Sequence, residues 1–347
     1  MPASTSIRCN ALWKKNNLAE KSRLTIALGT GDVDLPEVGR IAVFGPRAGM
    51  DLSALPRERV HVLTGFKPDH DAFGGLGFEC DVAPEGRYSA ALVCLPRAKA
   101  LARALVAQAA SVTDGPVIVD GAKTDGVESV LKDCRKRADV SAPLSKAHGK
   151  IFWFTAGPGF EDWAPDGPAE IEGGFLTAPG VFSADGIDPA SELLAAHLPT
   201  KLGARVADLG GGWGYLSARA LDRDSIEELH LVEADHAALA CARRNIADPR
   251  AQLHWEDATR WKPETALDTV IMNPPFHTER TADPSIGRAF IAAAADMLKP
   301  SGQLWLVANR HLPYEAAMAG CFGQVEEVTG NNRFKILRGA RPSRKRR

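Results

Sequence analysis

Arg205-Val206-Ala207-Asp208-Leu209-Gly210-Gly211-Gly212-Trp213-Gly214-Tyr215 is the stretch whose reading decides the fold. Five residues of strand character, Arg205–Leu209, run into a turn of four glycines, and an apolar helical run to Leu221 follows. Glycine permits positive φ and a close approach of backbone to a ligand, and the free N–H groups at a helix start favour negative charge. The spacing is G-x-G-x-G after Asp208. A dinucleotide-type G-x-G-x-x-G needs glycine at position 215, which is Tyr215. Taken alone, the stretch also suits a purely structural turn.

Working outward toward the C-terminus, strands and helices alternate. Glu228–Glu233, Ala251–Trp255, Leu267–Met272 and Gln303–Ala308 read as strands; Asp235–Ile246, Pro284–Leu298 and Pro313–Cys321 read as helices. Val325–Thr329 and Arg333–Leu337 form a closing hairpin around Gly330-Asn331-Asn332. Toward the N-terminus the same alternation recurs in Ile41–Gly45, Val60–Gly65, Ala90–Leu95 and Pro116–Asp120, with a helix over Arg97–Val112. Asp125 reads as the N-cap of a further helix to about Arg137. Between the two series, residues 157–186 are punctuated by glycine and proline and carry little periodicity, which marks an interdomain connection. The expected fold is α/β: two tandem units of parallel sheet covered by helices, the second a mixed sheet ending in an antiparallel hairpin. The expected domains are 1–170 and 171–339, followed by a basic tail, 340–347.

Composition agrees. A chain of 347 residues with 45% hydrophobic content has room for about two domains. Lys+Arg 42 against Asp+Glu 43 excludes a uniformly basic nucleic-acid binder and an acidic disordered chain. Residues 333–347 nevertheless carry eight basic side chains and no acid, which leaves residues 1–332 at a formal −9. Six scattered cysteines without C-x-x-C argue against a structural zinc or a disulfide framework, so no metal is expected. No run reaches the ~20 apolar residues that span a bilayer, and Lys14 and Lys15 interrupt any secretory-type apolar core. A cytoplasmic protein without a membrane partner is expected.

Two further acids share the edge of the glycine turn. Glu233 ends the next strand, where a carboxylate can accept from ribose hydroxyls, and Asp257, after the third strand, can receive an adenine amino group. Each is also readable as a solvated strand end or a turn cap. Together, Asp208, Gly210, Gly212, Gly214, Glu233 and Asp257 resemble the cofactor-binding motifs of class I S-adenosylmethionine-dependent methyltransferases, a likeness that covers roughly residues 175–338. The resemblance implies a Rossmann-like methyltransferase domain that uses S-adenosylmethionine and releases S-adenosylhomocysteine.

Asn273-Pro274-Pro275-Phe276 follows directly on the fourth strand. Two prolines stiffen the backbone as it leaves the sheet, so Asn273 and the Pro274 carbonyl are aimed outward as acceptors and Phe276 offers a flat face. That set suits methyl transfer to a planar exocyclic amine. Two acceptors on its hydrogens favour a pyramidal nitrogen, and an aromatic ring stacks the base. Asn273, Pro274 and Phe276 are therefore the candidate catalytic residues, with Asn273 also beside the cofactor. Followed by His277, the tetrapeptide resembles that of guanine-N2 methyltransferases of ribosomal RNA. Gly180-Val181-Phe182-Ser183-Ala184-Asp185-Gly186-Ile187-Asp188 is similar to a segment of the small-subunit ribosomal RNA methyltransferase C family, with Pro189-Ala190 departing from that pattern before Ser191. Asp188 reads either as a helix cap or as a cofactor contact. Ala308-Asn309 with Leu312-Pro313-Tyr314, and Arg333-Phe334-Lys335, resemble further elements of that family. The resemblance implies tandem domains, the N-terminal one degenerate. Gly45-Pro46-Arg47-Ala48-Gly49 is too poor in correctly spaced glycines, and no N-P-P precedes residue 273.

The expected partner is ribosomal RNA or a ribosomal subunit particle. The basic segment from Arg333 is a candidate for holding phosphates, and a tandem pseudodimer removes the need for a homodimer. The alternatives are an adenine-N6 methyltransferase, a large-subunit guanine-N2 enzyme of a sister family, and a non-catalytic ribosomal RNA assembly factor.

Overall fold

The computed structural model describes residues 22–275 and 284–343. Strands buried on both faces need apolar residues at consecutive positions, and Ile41–Phe44 and the Val270–Met272 end of a later strand have that character. The first sheet contains β1 (Ile41–Phe44), β2 (Val60–Leu63), β3 (Glu79–Asp81), β4 (Ala90–Cys94), β5 (Pro116–Ala122), β6 (Leu144–Lys146) and β7 (Gly149–Thr155), in the order β3-β2-β1-β4-β5-β7-β6. β7 runs antiparallel to both β5 and β6.

A short ladder of β8 (Ala169–Glu170) with β9 (Leu176–Thr177) lies in the Gly/Pro-rich connection. The second sheet contains β10 (Arg205–Leu209), β11 (Glu228–Glu233), β12 (Ala251–Trp255), β13 (Leu267–Met272), β14 (Leu298–Asn309), β15 (Phe322–Gly330) and β16 (Phe334–Pro342). Its order, β12-β11-β10-β13-β14-β16-β15, repeats that of the first sheet strand for strand. β10 to β14 pair in parallel, and β16 closes antiparallel on β14 and β15. The α/β fold therefore holds two mixed seven-stranded sheets.

Contacts divide the chain into two compact units. One takes residues up to Thr64 and Ala72–Ala164, and the other takes Gly65–Asp71 and everything from Pro165 onward. In the second unit one core lies on the side of helices Pro189–His197, Tyr215–Leu221 and His236–Asn245. The opposite core packs helices Pro284–Met297 and Tyr314–Ala319 against the other face of the sheet. Leu194, Leu229, Leu231 and Ile271 are fully enclosed on the first side, Ile291, Leu304 and Met272 on the second.

Two local readings are corrected. The helix expected from Asp125 to Arg137 spans Val127–Cys134, and its N-cap is Gly126, at φ 78°. Asp125 instead sits in a tight turn, where its carboxylate accepts the Ala122 N–H at 3.3 Å. The closing hairpin is longer than its apolar alternation indicates, because β15 and β16 pair from Phe322 to Pro342.

Candidate active site

Three neighbouring parallel strands, β12, β11 and β10, bring their carboxyl ends side by side, with Glu233 opposite Trp255 and Leu209 opposite Val232. The glycine turn, Glu233 and Asp257 are thereby placed along one edge. β13 lies on the other side of β10, with Ile271 opposite Asp208, so Asn273 leaves the sheet beside the start of the glycine turn. Ligand sites of open α/β sheets form at such an edge.

Asp208 does not face this open edge. It has 0% exposure and lies beneath the turn, where its Oδ2 accepts the Ser217 hydroxyl at 2.7 Å. Its Oδ1 is enclosed without a hydrogen-bond partner among the described residues. Burial, aided by the charge of Glu233, pushes its carboxyl up to about 7, and the Ser217 hydrogen bond opposes the shift. Above it, Gly210, Gly212 and Gly214 all have positive φ. Two of these positions require glycine for different reasons. A Cβ on Gly212, at φ +56°, would meet nothing within 4 Å, so the space beside it is open and only the torsion is demanding. A Cβ on Gly214, at φ +96°, would lie 2.8 Å from Ile246 Cδ1.

Glu233 fastens the turn from the side. One carboxylate oxygen accepts the Gly212 N–H at 2.8 Å and the other accepts the Asp235 N–H at 2.7 Å. Burial raises its pKa, and these backbone bonds hold the rise in check. Asp257 uses a single oxygen, Oδ1, to accept both the N–H and the hydroxyl of Thr259, at 2.8 and 2.6 Å. Each oxygen of a carboxylate has two lone pairs. Both acids thus retain acceptor capacity at the edge after securing their own loops.

The segment 180–188 joins the turn to Asn273. Trp213 Nε1–H donates to the Phe182 carbonyl at 2.9 Å, Thr177 to the Ala184 carbonyl at 2.8 Å and Ser183 Oγ to the Gly186 carbonyl at 2.7 Å, with Ser183 itself at φ 52°. Phe182 stands 57% exposed on this braced turn. Asp188 then caps helix Pro189–His197, accepting the Ser191 N–H at 2.8 Å. Pro189 occupies the first helical position, where no N–H is needed. The same Asp188 oxygen accepts from Asn273 Nδ2 at 2.9 Å, and Ser191 Oγ accepts the other Nδ2 proton, also at 2.9 Å. With both amide protons engaged, Asn273 Oδ1 remains as an acceptor and takes no hydrogen bond among the described residues. Pro274 is buried and Pro275 exposed. Phe276 and His277 lie outside the described residues, as do Arg344, Lys345, Arg346 and Arg347.

The expectation that the basic segment from Arg333 holds phosphates is corrected at Lys335. Lys335 is 4% exposed and donates to Glu315 at 2.5 Å, and Arg338 pairs with Glu326 at 2.6 Å. Lys335, buried and neutralised, is not offered to RNA, whereas Arg338 keeps a side chain 31% exposed beside its ion pair. Arg333 remains exposed, stacked over Phe334 at 5.0 Å. The sequence reading also missed the supporting residues. Ser191 was readable as part of the quoted family pattern. Asn245, whose amide accepts the Leu176 N–H and donates to the Leu176 and Trp213 carbonyls at 2.8 to 2.9 Å, carried no sequence signal.

Residues 172–338 match the family model described as the methyltransferase small domain. A ribosomal RNA small subunit methyltransferase C of Shewanella sp. (strain MR-4) is 32% identical over 265 residues, covering 73% of this chain and 77% of its own length. A ribosomal RNA large subunit methyltransferase G of Streptomyces avermitilis is 28% identical over 337 residues, 88% of each. Among solved structures, a T. thermophilus 16S rRNA N2 methyltransferase in complex with AdoMet and guanosine superposes with TM-score 0.75 at 23% identity. That match covers 93% of this chain and 92% of the other, a likeness of fold across both units.

Proposed function

This chain belongs to the ribosomal RNA small subunit methyltransferase C family, and from that premise we propose that it transfers a methyl group from S-adenosylmethionine to the exocyclic N2 amine of a guanine in small-subunit ribosomal RNA. The observation that carries this reading is the fixed amide of Asn273. A carboxylate oxygen only accepts, so Asp188 forces the Nδ2 group toward itself and leaves Oδ1 for the substrate.

The donor set at the edge fits the cofactor. Open space beside Gly212, partly exposed turn backbone at Gly210–Gly212 and two half-buried carboxylates suit a molecule with an amino-acid end, a ribose and an adenine. In the proposed assignment the turn 210–214 holds the methionine portion, supported from below by Asp208. Glu233 accepts from the ribose hydroxyls and Asp257 from the adenine amine. Bound there, S-adenosylmethionine supplies an electrophilic methyl group on a cationic sulfur and leaves as S-adenosylhomocysteine.

The amine of guanine is a weak nucleophile because its lone pair is spread into the ring. Asn273 Oδ1 and the Pro274 carbonyl accept its two hydrogens, which favours the pyramidal nitrogen whose lone pair points at the methyl. Phe276 stacks the base. The extra proton on nitrogen after transfer passes to water, so no side chain needs to act as a base. Catalysis is then mainly orientation, a contribution that reaches about 7 kcal/mol or more in well-aligned systems.

A second reading, the large-subunit guanine, is supported by the Streptomyces avermitilis relative, which aligns over 88% of this chain. Incubation with methyl-labelled cofactor and naked ribosomal RNA, 30S particles or 50S particles separates the two. Label confined to 30S material or its RNA is expected; label confined to 50S material transfers the assignment to the large subunit.

A further inference from the structure

Glu233 is aimed by a peptide group that other residues hold. Its Oε1 accepts the Asp235 N–H at 2.7 Å, and that N–H shares a planar trans peptide with the Ala234 carbonyl. The direction of the carbonyl therefore sets the direction of the N–H. The Ala234 carbonyl accepts twice, from Trp255 Nε1–H at 2.9 Å and from the Lys67 N–H, also at 2.9 Å.

Lys67 belongs to Gly65–Asp71, a segment that follows β2 in the chain and yet groups with the second unit. Reciprocal bonds hold it there. The Gly65 carbonyl accepts the His236 N–H at 2.8 Å, and Phe66 bridges Asp235 in antiparallel pairing. Lys67 and His236 each open a helix, Lys67–Gly75 and His236–Asn245. Each helix thus has one of its orphan N-terminal N–H groups satisfied by a carbonyl just ahead of the other. Trp255 joins the two carbonyls, because its Nε1–H also reaches that of Gly65 at 3.1 Å. The indole ring is in edge-on contact with His70 and His236, centroids 5.1 and 5.3 Å away, and lies under Lys67 Nζ at 5.3 Å. Trp255 ends β12 opposite Glu233 and stands two residues before Asp257, and the Glu256 N–H donates to the Glu233 carbonyl at 3.1 Å. The two acids assigned to the adenosine half of the cofactor leave the sheet beside one indole.

We propose that Trp255 and Lys67, the latter through its backbone N–H, are positioning residues for the adenosine half of S-adenosylmethionine. The inference rests on the cofactor assignment above and adds what sets its geometry. Neither group needs to touch the cofactor. Both act through the 234–235 peptide, whose N–H fixes one oxygen of Glu233 while the Gly212 N–H fixes the other. A carboxylate held at both oxygens presents its remaining lone pairs in one direction, and loosening the peptide spreads that direction. Two donors on one carbonyl also mean that losing either weakens the hold without abolishing it.

The test uses two full-length variants that each delete one donor. Trp255→Phe keeps an aromatic ring and removes the Nε1–H. Lys67→Pro removes the N–H at a first helical position, which suits proline, and Phe66 before it is already paired as an extended residue. Lys67→Pro is read against Lys67→Ala, which loses the same ammonium group and its 2.7 Å ion pair with Asp71 but keeps the N–H. Calorimetry without RNA should show affinity for S-adenosylhomocysteine and for adenosine falling by the same factor. The expected loss is about fivefold in Trp255→Phe, and about fivefold in Lys67→Pro beyond that of Lys67→Ala. The KM for S-adenosylmethionine should rise to match, while kcat at saturating cofactor stays within about twofold of wild type. An unchanged dissociation constant in either donor-deleting variant overturns the proposal. So does a fall in binding stoichiometry or in kcat without weaker binding, which is what a merely structural role produces. A wild-type protein that binds neither compound rejects the cofactor reading and the positioning role with it. Wild-type binding that neither substitution weakens rejects the positioning role alone.

Discussion

An asparagine amide offers one acceptor and two donors, and its direction is settled by whatever takes the donors. Asp188 and Ser191 take them here, so replacing each member of this triplet should have a graded effect. Asn273→Ala removes the acceptor itself and should lower the single-turnover methylation rate at least about 100-fold, comparable to deleting one preorganised polar group from an active site. Cofactor affinity by calorimetry should stay near wild type. Ser191→Ala removes one of two orienting bonds, worth about 1 kcal/mol, and should slow the same step roughly fivefold. Equal losses in the two variants would contradict the orienting role. Asp208 gives a prediction of a different kind. Its carboxyl is raised from the ordinary range to about 7 by burial, so the folded state favours the protonated form. The stability this contributes is complete below about pH 4 and is lost as pH rises through about 7, by up to about 4 kcal/mol. Asp208→Asn should remove that dependence. Its melting temperature should gain on wild type between pH 5 and pH 8, and a constant difference across that range would refute the shift. The sequence showed which residues crowd this edge, but not that Asp208 faces inward while Glu233 braces the turn. An acid at a strand end reads the same in either orientation.

At the scale of the elements, the glycine turn and helix Tyr215–Leu221 form one mechanical piece. Gly214 is the left-handed N-cap of that helix, packed against Ile246 and Ala242. Gly214→Ala adds torsional strain and a close contact and should cost roughly 1–3 kcal/mol in denaturant unfolding, with weakened cofactor binding. A neutral result would mean the turn can relax. The parallel strands were legible because most are short, apolar-rich runs closed within two residues by Gly, Pro or an acid, and β10 to β13 begin and end at the residues the pattern marks. Elements lacking that pattern were not. β3, exposed at two of its three residues, and β6, exposed at one of three and partly buried at the others, are short edge strands held by backbone pairing. Asp125 looked like a helix cap because acids before a helix often are, yet Gly126 follows it and takes the left-handed position.

Over the whole molecule, the tandem design was readable from the repeated alternation of elements, and the identical strand order of the two sheets repeats it in space. The connection between them is exposed from Ala164 to Glu170 and again over Glu172–Gly174. Limited digestion with a glutamate-specific protease should therefore cut first at Glu170 or Glu172, seen by mass spectrometry as two fragments near half length. First cleavage within either sheet would contradict the division into two units. Guanine-N2 transfer itself is tested most directly by digesting methyl-labelled ribosomal RNA to nucleosides after reaction with the wild-type protein and with Asn273→Ala. The expected result is label in N2-methylguanosine from the wild type and about a hundredth as much or less from the variant at early times. Label in N6-methyladenosine, or undiminished N2-methylguanosine from Asn273→Ala, would contradict the account.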